Sequence, residues 1–144
     1  MKIADILDAK GRTVHWILPW KSAADAVARL EQLGVGALVV CDGEQRMVGI
    51  VSERDLIRGL AHRGANLLDV RVDEIMTHTV GTARLDEPIA SAMARMTRDR
   101  FRHLPVLERG QLVGMVSIGD LVKARLRELE LETGVLRDVY IAAH

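Results

Sequence analysis

One segment of this chain occurs twice. Met47-Val48-Gly49-Ile50-Val51-Ser52-Glu53-Arg54-Asp55-Leu56-Ile57-Arg58 returns as Leu112-Val113-Gly114-Met115-Val116-Ser117-Ile118-Gly119-Asp120-Leu121-Val122-Lys123, with six of twelve positions identical, where composition alone gives about one. The repeat extends upstream. Gly34 to Val40 aligns with Arg100 to Val106, Ala26-Val27-Ala28-Arg29-Leu30 with Ala92-Met93-Ala94-Arg95-Met96, and Ile3-Ala4-Asp5-Ile6-Leu7 with Val72-Asp73-Glu74-Ile75-Met76. An open solenoid needs three or more stacked units. Two copies, over 1–66 and 67–133 with a tail at 134–144, are therefore expected to close on each other as one compact domain. A duplicated core needs only its apolar pattern repeated. Here Gly, Ser and Asp repeat as well, which points to a duplicated site.

Composition narrows the function class. The 144 residues are 49% hydrophobic, enough for a shared core, and carry 20 basic and 20 acidic side chains for a formal net charge of +0. Such a balance gives no general attraction for nucleic acid or an anionic membrane, and does little to oppose self-association. No apolar run approaches the roughly 20 residues of a membrane span. Met1-Lys2-Ile3-Ala4-Asp5 lacks the apolar core of a signal peptide, and the single Cys41 cannot form an internal disulfide. A cytoplasmic protein is expected.

Period and punctuation predict the order β-α-β-β-α, twice. Ser22 is an N-cap candidate, Ala23, Val27 and Leu30 share a helical face, and Gly34 stops the helix. Ala37-Leu38-Val39-Val40 and Met47-Val48-Gly49-Ile50-Val51 read as a hairpin around Asp42-Gly43, followed by a helix with Leu56, Ile57, Leu60 and Ala61 inward. The second copy predicts a helix over 88–99, strands over 104–107 and 112–116 around Arg109-Gly110, and a helix from 118. A short strand precedes each copy, at 13–17 and 79–83, and 64–69 joins the two. In the last helix Val122, Leu126 and Leu129 form an apolar stripe. It is read as covering the domain's own core, with a dimer contact as the competing role. Gly134 is expected to end that helix, leaving 135–142 as a further short amphipathic turn or helix.

The chemistry rests on Gly-x-x-Ser-x-x-Asp at a strand-to-helix junction. Ser followed three residues later by an acid is close to a capping box. The acid is Asp in both copies, shorter than the Glu or Gln that reaches back most easily. A helix N-terminus also offers free N–H groups and a positive dipole end that suit phosphate. The hydroxyl can donate to phosphate, and a carboxylate can accept both hydroxyls of a ribose diol. One serine can cap and bind.

These residues resemble a pair of cystathionine-β-synthase (CBS) domains, and the resemblance covers the whole chain. It is carried by Gly49-Ile50-Val51-Ser52-Glu53-Arg54-Asp55 and Gly114-Met115-Val116-Ser117-Ile118-Gly119-Asp120, with Arg102-His103-Leu104-Pro105-Val106 and Glu74-Ile75-Met76-Thr77 in support. It implies an α/β (α+β) fold of two three-stranded sheets and four helices around a pseudo-two-fold axis. It also implies clefts between the repeats for AMP, ADP, ATP, NAD or S-adenosylmethionine, held as a regulatory ligand and not as a catalytic cofactor, and pairing into a homodimeric disc. By that resemblance Asp55 and Asp120 hold ribose hydroxyls, Ser52 and Ser117 meet phosphate or ribose oxygens, and Ile50 and Met115 pack on adenine. Val14 and His15 would line the cleft of Asp120, and Val80 and Gly81 that of Asp55. The first copy departs from the pattern at Trp16-Ile17-Leu18-Pro19-Trp20, where both tryptophans read as core or interface residues.

The copies are not equal. Arg102 and His103 precede the second hairpin at positions where the family often places bases that contact phosphate, and Gly36 and Ala37 stand there in the first. Arg54, opposite Gly119, is the first copy's own cation. His62, His78 and His144 show no metal-ligand spacing with each other or with Cys41, which reads as a small buried residue. Apart from the repeated Ser and Asp there is no nucleophile or matched acid–base pair, so no enzyme is expected. The reading is a regulatory module that binds an adenosine-containing nucleotide and signals to a separate target through a change of conformation or assembly. The alternative is a dimeric interaction scaffold that binds no ligand.

Overall fold

Each expected hairpin forms, and each accepts a short parallel strand along its first strand. A computed structural model of the chain describes the backbone of residues 1–78 and 80–143 and the side chains of 1–78 and 80–134. One sheet has the order β1 (Trp16–Ile17), β2 (Ala37–Cys41), β3 (Met47–Ser52), with β1 parallel and β3 antiparallel to β2. The other repeats it with β4 (Ala83–Arg84), β5 (His103–Glu108) and β6 (Gln111–Ser117). Ala37 pairs with Ser52 and His103 with Ser117, so each hairpin opens beside its repeated serine. Arg109 and Gly110 both take positive φ, the geometry of a two-residue turn. In the first hairpin the Asp42 carboxylate instead accepts the N–H groups of Glu44 and Arg46, and Gln45 takes the positive φ. Position 79, the first of the expected strand over 79–83, lies outside the described residues.

The helices complete two β-α-β-β-α repeats: α2 (Ala23–Leu33) and α3 (Glu53–Arg63) in the first, α5 (Ile89–Asp99) and α6 (Ile118–Ala143) in the second. A 3-10 helix at Gly64–Asp69 fills the join and buries Leu67. Two further helices were not expected from the sequence: α1 (Ile3–Lys10) and α4 (Val72–Ile75), one leading into each repeat. Among the described residues no helix is long and apolar enough to cross a membrane.

These leading helices decide how the chain divides. One compact unit is Thr13–Gly81, and the other joins Met1–Arg12 to Thr82–His144. The packed units therefore differ from the sequence periods 1–66 and 67–133. The segment ahead of the first repeat packs with the second, through Ile3 N–H to Glu87 O, Ala4 N–H to Leu85 O and Ile89 N–H to Met1 O, at 3.0, 2.9 and 3.1 Å. The segment ahead of the second repeat packs with the first, through Ala23 N–H to Val70 O and Val72 N–H to Lys21 O, at 2.8 and 2.7 Å. Each unit has its own core. Ile3, Leu7, Ile89, Met96, Leu104 and Leu121 fill one; Ala23, Ala26, Leu38, Val51, Leu67 and Val72 fill the other.

Several inward assignments need correction. In α2 the buried face is Ala23, Ala26 and Leu30, and Val27 is exposed. In α3 it is Asp55, Leu56 and Gly59, while Ile57 and Leu60 are 67% and 50% exposed and Ala61 is also outside. Asp55, with the polar bonds described below, takes a place on the inward face, and the apolar pair faces outward. In α6 Leu121 and Ala124 face the core, so the stripe of Val122, Leu126 and Leu129 is solvent-facing and does not cover the unit's own core. Trp16 and Trp20 are likewise exposed, not core. Gly134 does not end α6, which runs on to Ala143. A helical glycine costs about 1 kcal/mol, which the good helix formers before it absorb. The amphipathic character expected of 135–142 lies outside the described side chains, as does His144.

The repeated glycines have a packing cause. A Cβ on Gly114 would lie 2.7 Å from Leu7 Cδ1, and one on Gly49 would lie 2.7 Å from both Met76 Sδ and the Thr77 carbonyl oxygen. Leu7 and Met76 occupy equivalent places in the two leading segments. We expect Gly49→Ala and Gly114→Ala each to lower stability, by about 1–3 kcal/mol. Gly49→Ala should cost more, because a backbone carbonyl yields less than a leucine side chain. Urea unfolding of the two variants checks the order.

Candidate functional site

At the β3–α3 junction Asp55 is buried and saturated by its own unit. Its Oδ2 accepts Ser52 N–H at 2.9 Å and Ser52 Oγ–H at 3.1 Å, and its Oδ1 accepts Thr77 Oγ1–H at 3.0 Å. Asp55 N–H in turn donates to Ser52 Oγ at 3.4 Å. Thr77 also closes over the strand. Ile50 N–H donates to Thr77 O at 3.0 Å and Thr77 N–H to Ile50 O at 2.8 Å. Asp55 is 6% exposed and Ile50 8%.

The β6–α6 junction has the same box and a different partner. Ser117 N–H donates to Asp120 Oδ2 at 2.9 Å, and Asp120 N–H donates to Ser117 Oγ at 3.2 Å. The further donor is Lys10, the last residue of α1. Its Nζ reaches Asp120 Oδ2 at 2.8 Å and the Met115 carbonyl at 3.0 Å. The Asp120 side chain is 24% exposed and that of Lys10 41%. Met115 is half-buried where Ile50 is buried. One aspartate is thus closed in by a threonine and a backbone bridge, the other by a long side chain.

Asp in the third helical position is not in itself a ligand signal. Asp25 forms the same reciprocal box with Ser22, both bonds at 3.1 Å, at an exposed helix start outside the repeated motif. Asp5 accepts Lys2 N–H at 2.7 Å in the same way. Asp therefore reaches back at these helix starts without the extra length of Glu or Gln. Burial and the extra donors, Thr77 and Lys10, are what set Asp55 and Asp120 apart.

The other candidates distribute as follows. Arg102 and His103 lie beside the Asp120 junction: Ile118 N–H donates to Arg102 O at 2.9 Å, and His103 pairs with Ser117. Gly36 and Ala37 take those places at Asp55, where Glu53 N–H donates to Gly36 O at 3.0 Å. Arg54 is exposed in the first turn of α3. Val80 and Gly81 are half-buried in the unit that carries Asp55. Val14 and His15 belong to that unit as well, not to the one that carries Asp120, and His15 O accepts Val39 N–H at 3.0 Å. Sequence reasoning missed Lys10 and Thr77. It also missed a repeated arginine: Arg29 Nε donates to Trp16 O at 2.9 Å and Arg95 Nη2 to Thr82 O at 2.8 Å, pinning the chain at or just before each short strand. The matched Ala-x-Ala-Arg segments were the available signal. Cys41 is buried as expected, and burial followed by the nearby Asp42 pushes its thiol pKa up.

Burial works to raise the Asp120 carboxyl, but the Lys10 and Ser117 bonds outweigh it and hold the group below the usual carboxylate range. A carboxyl whose folded pKa is depressed contributes stability above its unfolded value and loses it as pH falls through the folded one. The stability gap between the natural chain and Asp120→Asn should therefore be full above about pH 4 and shrink below it. Unfolding midpoints of the two proteins, measured from pH 7 to pH 2, check this. A gap that stays constant below pH 4 contradicts it.

Comparison with known proteins agrees with the geometry. The CBS domain family pattern matches residues 21–62 and 72–127. The mitochondrial CBS domain-containing protein CBSX3 of Arabidopsis thaliana is 37% identical over 134 residues, covering 88% of this chain. The chain spans 65% of that plant protein's length. A CBS-domain containing protein of Agrobacterium tumefaciens has the same fold, with TM-score 0.85 and 41% identity over 86% of this chain and 92% of its own. A CBS domain protein of Pyrobaculum aerophilum, solved in complex with AMP, matches with TM-score 0.78 and 29% identity over 92% of this chain and 99% of its own. The chain belongs to the CBS domain family and carries two copies of the domain.

Proposed function

We propose that this chain is a regulatory module that binds an adenosine-containing nucleotide at the Asp120 junction and signals through a change of conformation or assembly. The observation that carries this reading is the state of Asp120. It is a half-buried carboxylate at the start of a long helix, and its added counterion is a side chain that can leave. Ribose hydroxyls would replace Lys10 on the carboxylate, Met115 would meet the base, and Ser117, Arg102 and His103 would serve the phosphate. The AMP complex of the Pyrobaculum relative supports the ligand class. Asp55, with Ser52, Ile50 and Arg54 around it, is the weaker position, because a ligand there must break the bonds to Thr77 and Ser52.

A melting-temperature screen against AMP, ADP, ATP, NAD, S-adenosylmethionine and guanine nucleotides tests the proposal. A ligand at 100 times its dissociation constant adds about 2.7 kcal/mol. We expect an adenosine ligand to raise the melting temperature, and Asp120→Ala to remove most of the rise, beyond the stability the unliganded protein loses with the Lys10 and Ser117 bonds. Asp55→Ala should do the reverse. It should retain the rise but lose about 1–3 kcal/mol of stability, since half-buried donors of Thr77 and Ser52 lose their acceptor. No rise with any ligand favours the scaffold reading.

We also infer a homodimer. Ile57 and Leu60 on α3, and Val122, Leu126 and Leu129 on α6, leave apolar faces in solvent on equivalent helices of both repeats. An isologous contact would bury them. Sedimentation at micromolar concentration should give about twice the 15.9 kDa chain mass. A monomer contradicts the inference.

A further inference from the structure

We infer that Lys10 makes the Asp120 site selective for nucleosides that carry an anion on the sugar's 5′ side. The inference rests on the proposed nucleotide-binding reading and goes beyond it by naming what the site selects. Lys10 Nζ holds two acceptors, Asp120 Oδ2 at 2.8 Å and the Met115 carbonyl at 3.0 Å. A ribose diol that takes over the carboxylate puts hydroxyl protons where the ammonium stood. The ammonium must then give up the carboxylate, and it remains beside the site on a flexible four-carbon stem. A 5′-phosphate on the same sugar offers it a new partner, and an ammonium–phosphate bond is about twice as strong as a neutral one. An uncharged nucleoside displaces Lys10 and offers it nothing. S-adenosylmethionine bonds a cationic sulfonium directly to the 5′ carbon, with its carboxylate further out beside a second cation, so its net positive charge repels the ammonium.

Lys10 closes α1, and the packing of Leu7 on Gly114 seats that helix against β6, so the ammonium is delivered by the fold. The exposure of its side chain, 41%, leaves it room to swing. At Asp55 the corresponding donor is Thr77, a neutral hydroxyl on a backbone fixed by its bridge to Ile50, so no cation is released there.

Calorimetric titration of the full chain and of Lys10→Met with AMP, adenosine and S-adenosylmethionine tests this, with circular dichroism to confirm that the variants fold. In the natural chain AMP should bind more tightly than adenosine. Lys10→Met should weaken AMP about tenfold or more, leave adenosine unchanged or tighter, and tighten S-adenosylmethionine. Lys10→Arg should keep the preference for AMP, and Lys10→Gln serves as the neutral variant should the methionine protein fail to fold. Equal changes for AMP and adenosine, in either direction, overturn the role of Lys10 while leaving nucleotide binding intact. Failure of the natural chain to bind any of the three overturns this inference, and failure with ADP, ATP and NAD as well overturns the parent reading.

Discussion

The seating of Leu7 over Gly114 and of Met76 over Gly49 is the contact on which both units depend. In each case an apolar side chain fills the space that a Cβ would take, so the leading segment lies closer to the hairpin than any other residue would allow. Dispersion falls steeply with separation, which makes this closeness matter. Once the leader is seated, the residues just after Leu7 and Met76 arrive at the strand-to-helix junction. Thr77 follows Met76 directly and meets Asp55; Lys10 follows Leu7 by three residues and meets Asp120. The polar site is thus a product of the apolar packing beneath it.

The same frame has two electrostatic outcomes. A buried carboxylate must be supplied with donors. Asp55 receives three, spread over both oxygens, all from short side chains or backbone on one unit. Asp120 is less buried, and both Ser117 N–H and Lys10 bond to its Oδ2. The first arrangement is a structural knot. The second is an ion pair whose cation is part-exposed and stands at the end of a helix.

Much of this was legible in the residues. The duplicated hairpins, the serine caps, the Arg109-Gly110 turn and the buried Cys41 follow from short-range chemistry, and each stands where the sequence placed it. The misreadings share a cause. Ile57 and Leu60 look inward on periodicity alone, but the inward face of α3 includes Asp55, whose Oδ1 accepts the Thr77 hydroxyl from 22 residues away. Lys10 gave no local sign, because its partners lie 105 and 110 residues along the chain. The glycines were recognised as repeated and the leaders as similar. What matched a leader to a hairpin was a long-range contact that neither segment encodes alone.

That pairing also orders the events of folding during synthesis. Thr13–Gly81 is one continuous stretch, so every contact of its unit is available once Gly81 has left the ribosome. The other unit is discontinuous: Met1–Arg12 emerges first, yet its hydrogen-bond partners begin at Leu85 and its seat on Gly114 comes later still. Loop-closure entropy must be met before such distant contacts reward it. Met1–Arg12 therefore waits for partners made well after the whole of Thr13–Gly81. The unit of the second repeat is completed only by reaching back for α1, made before the first repeat.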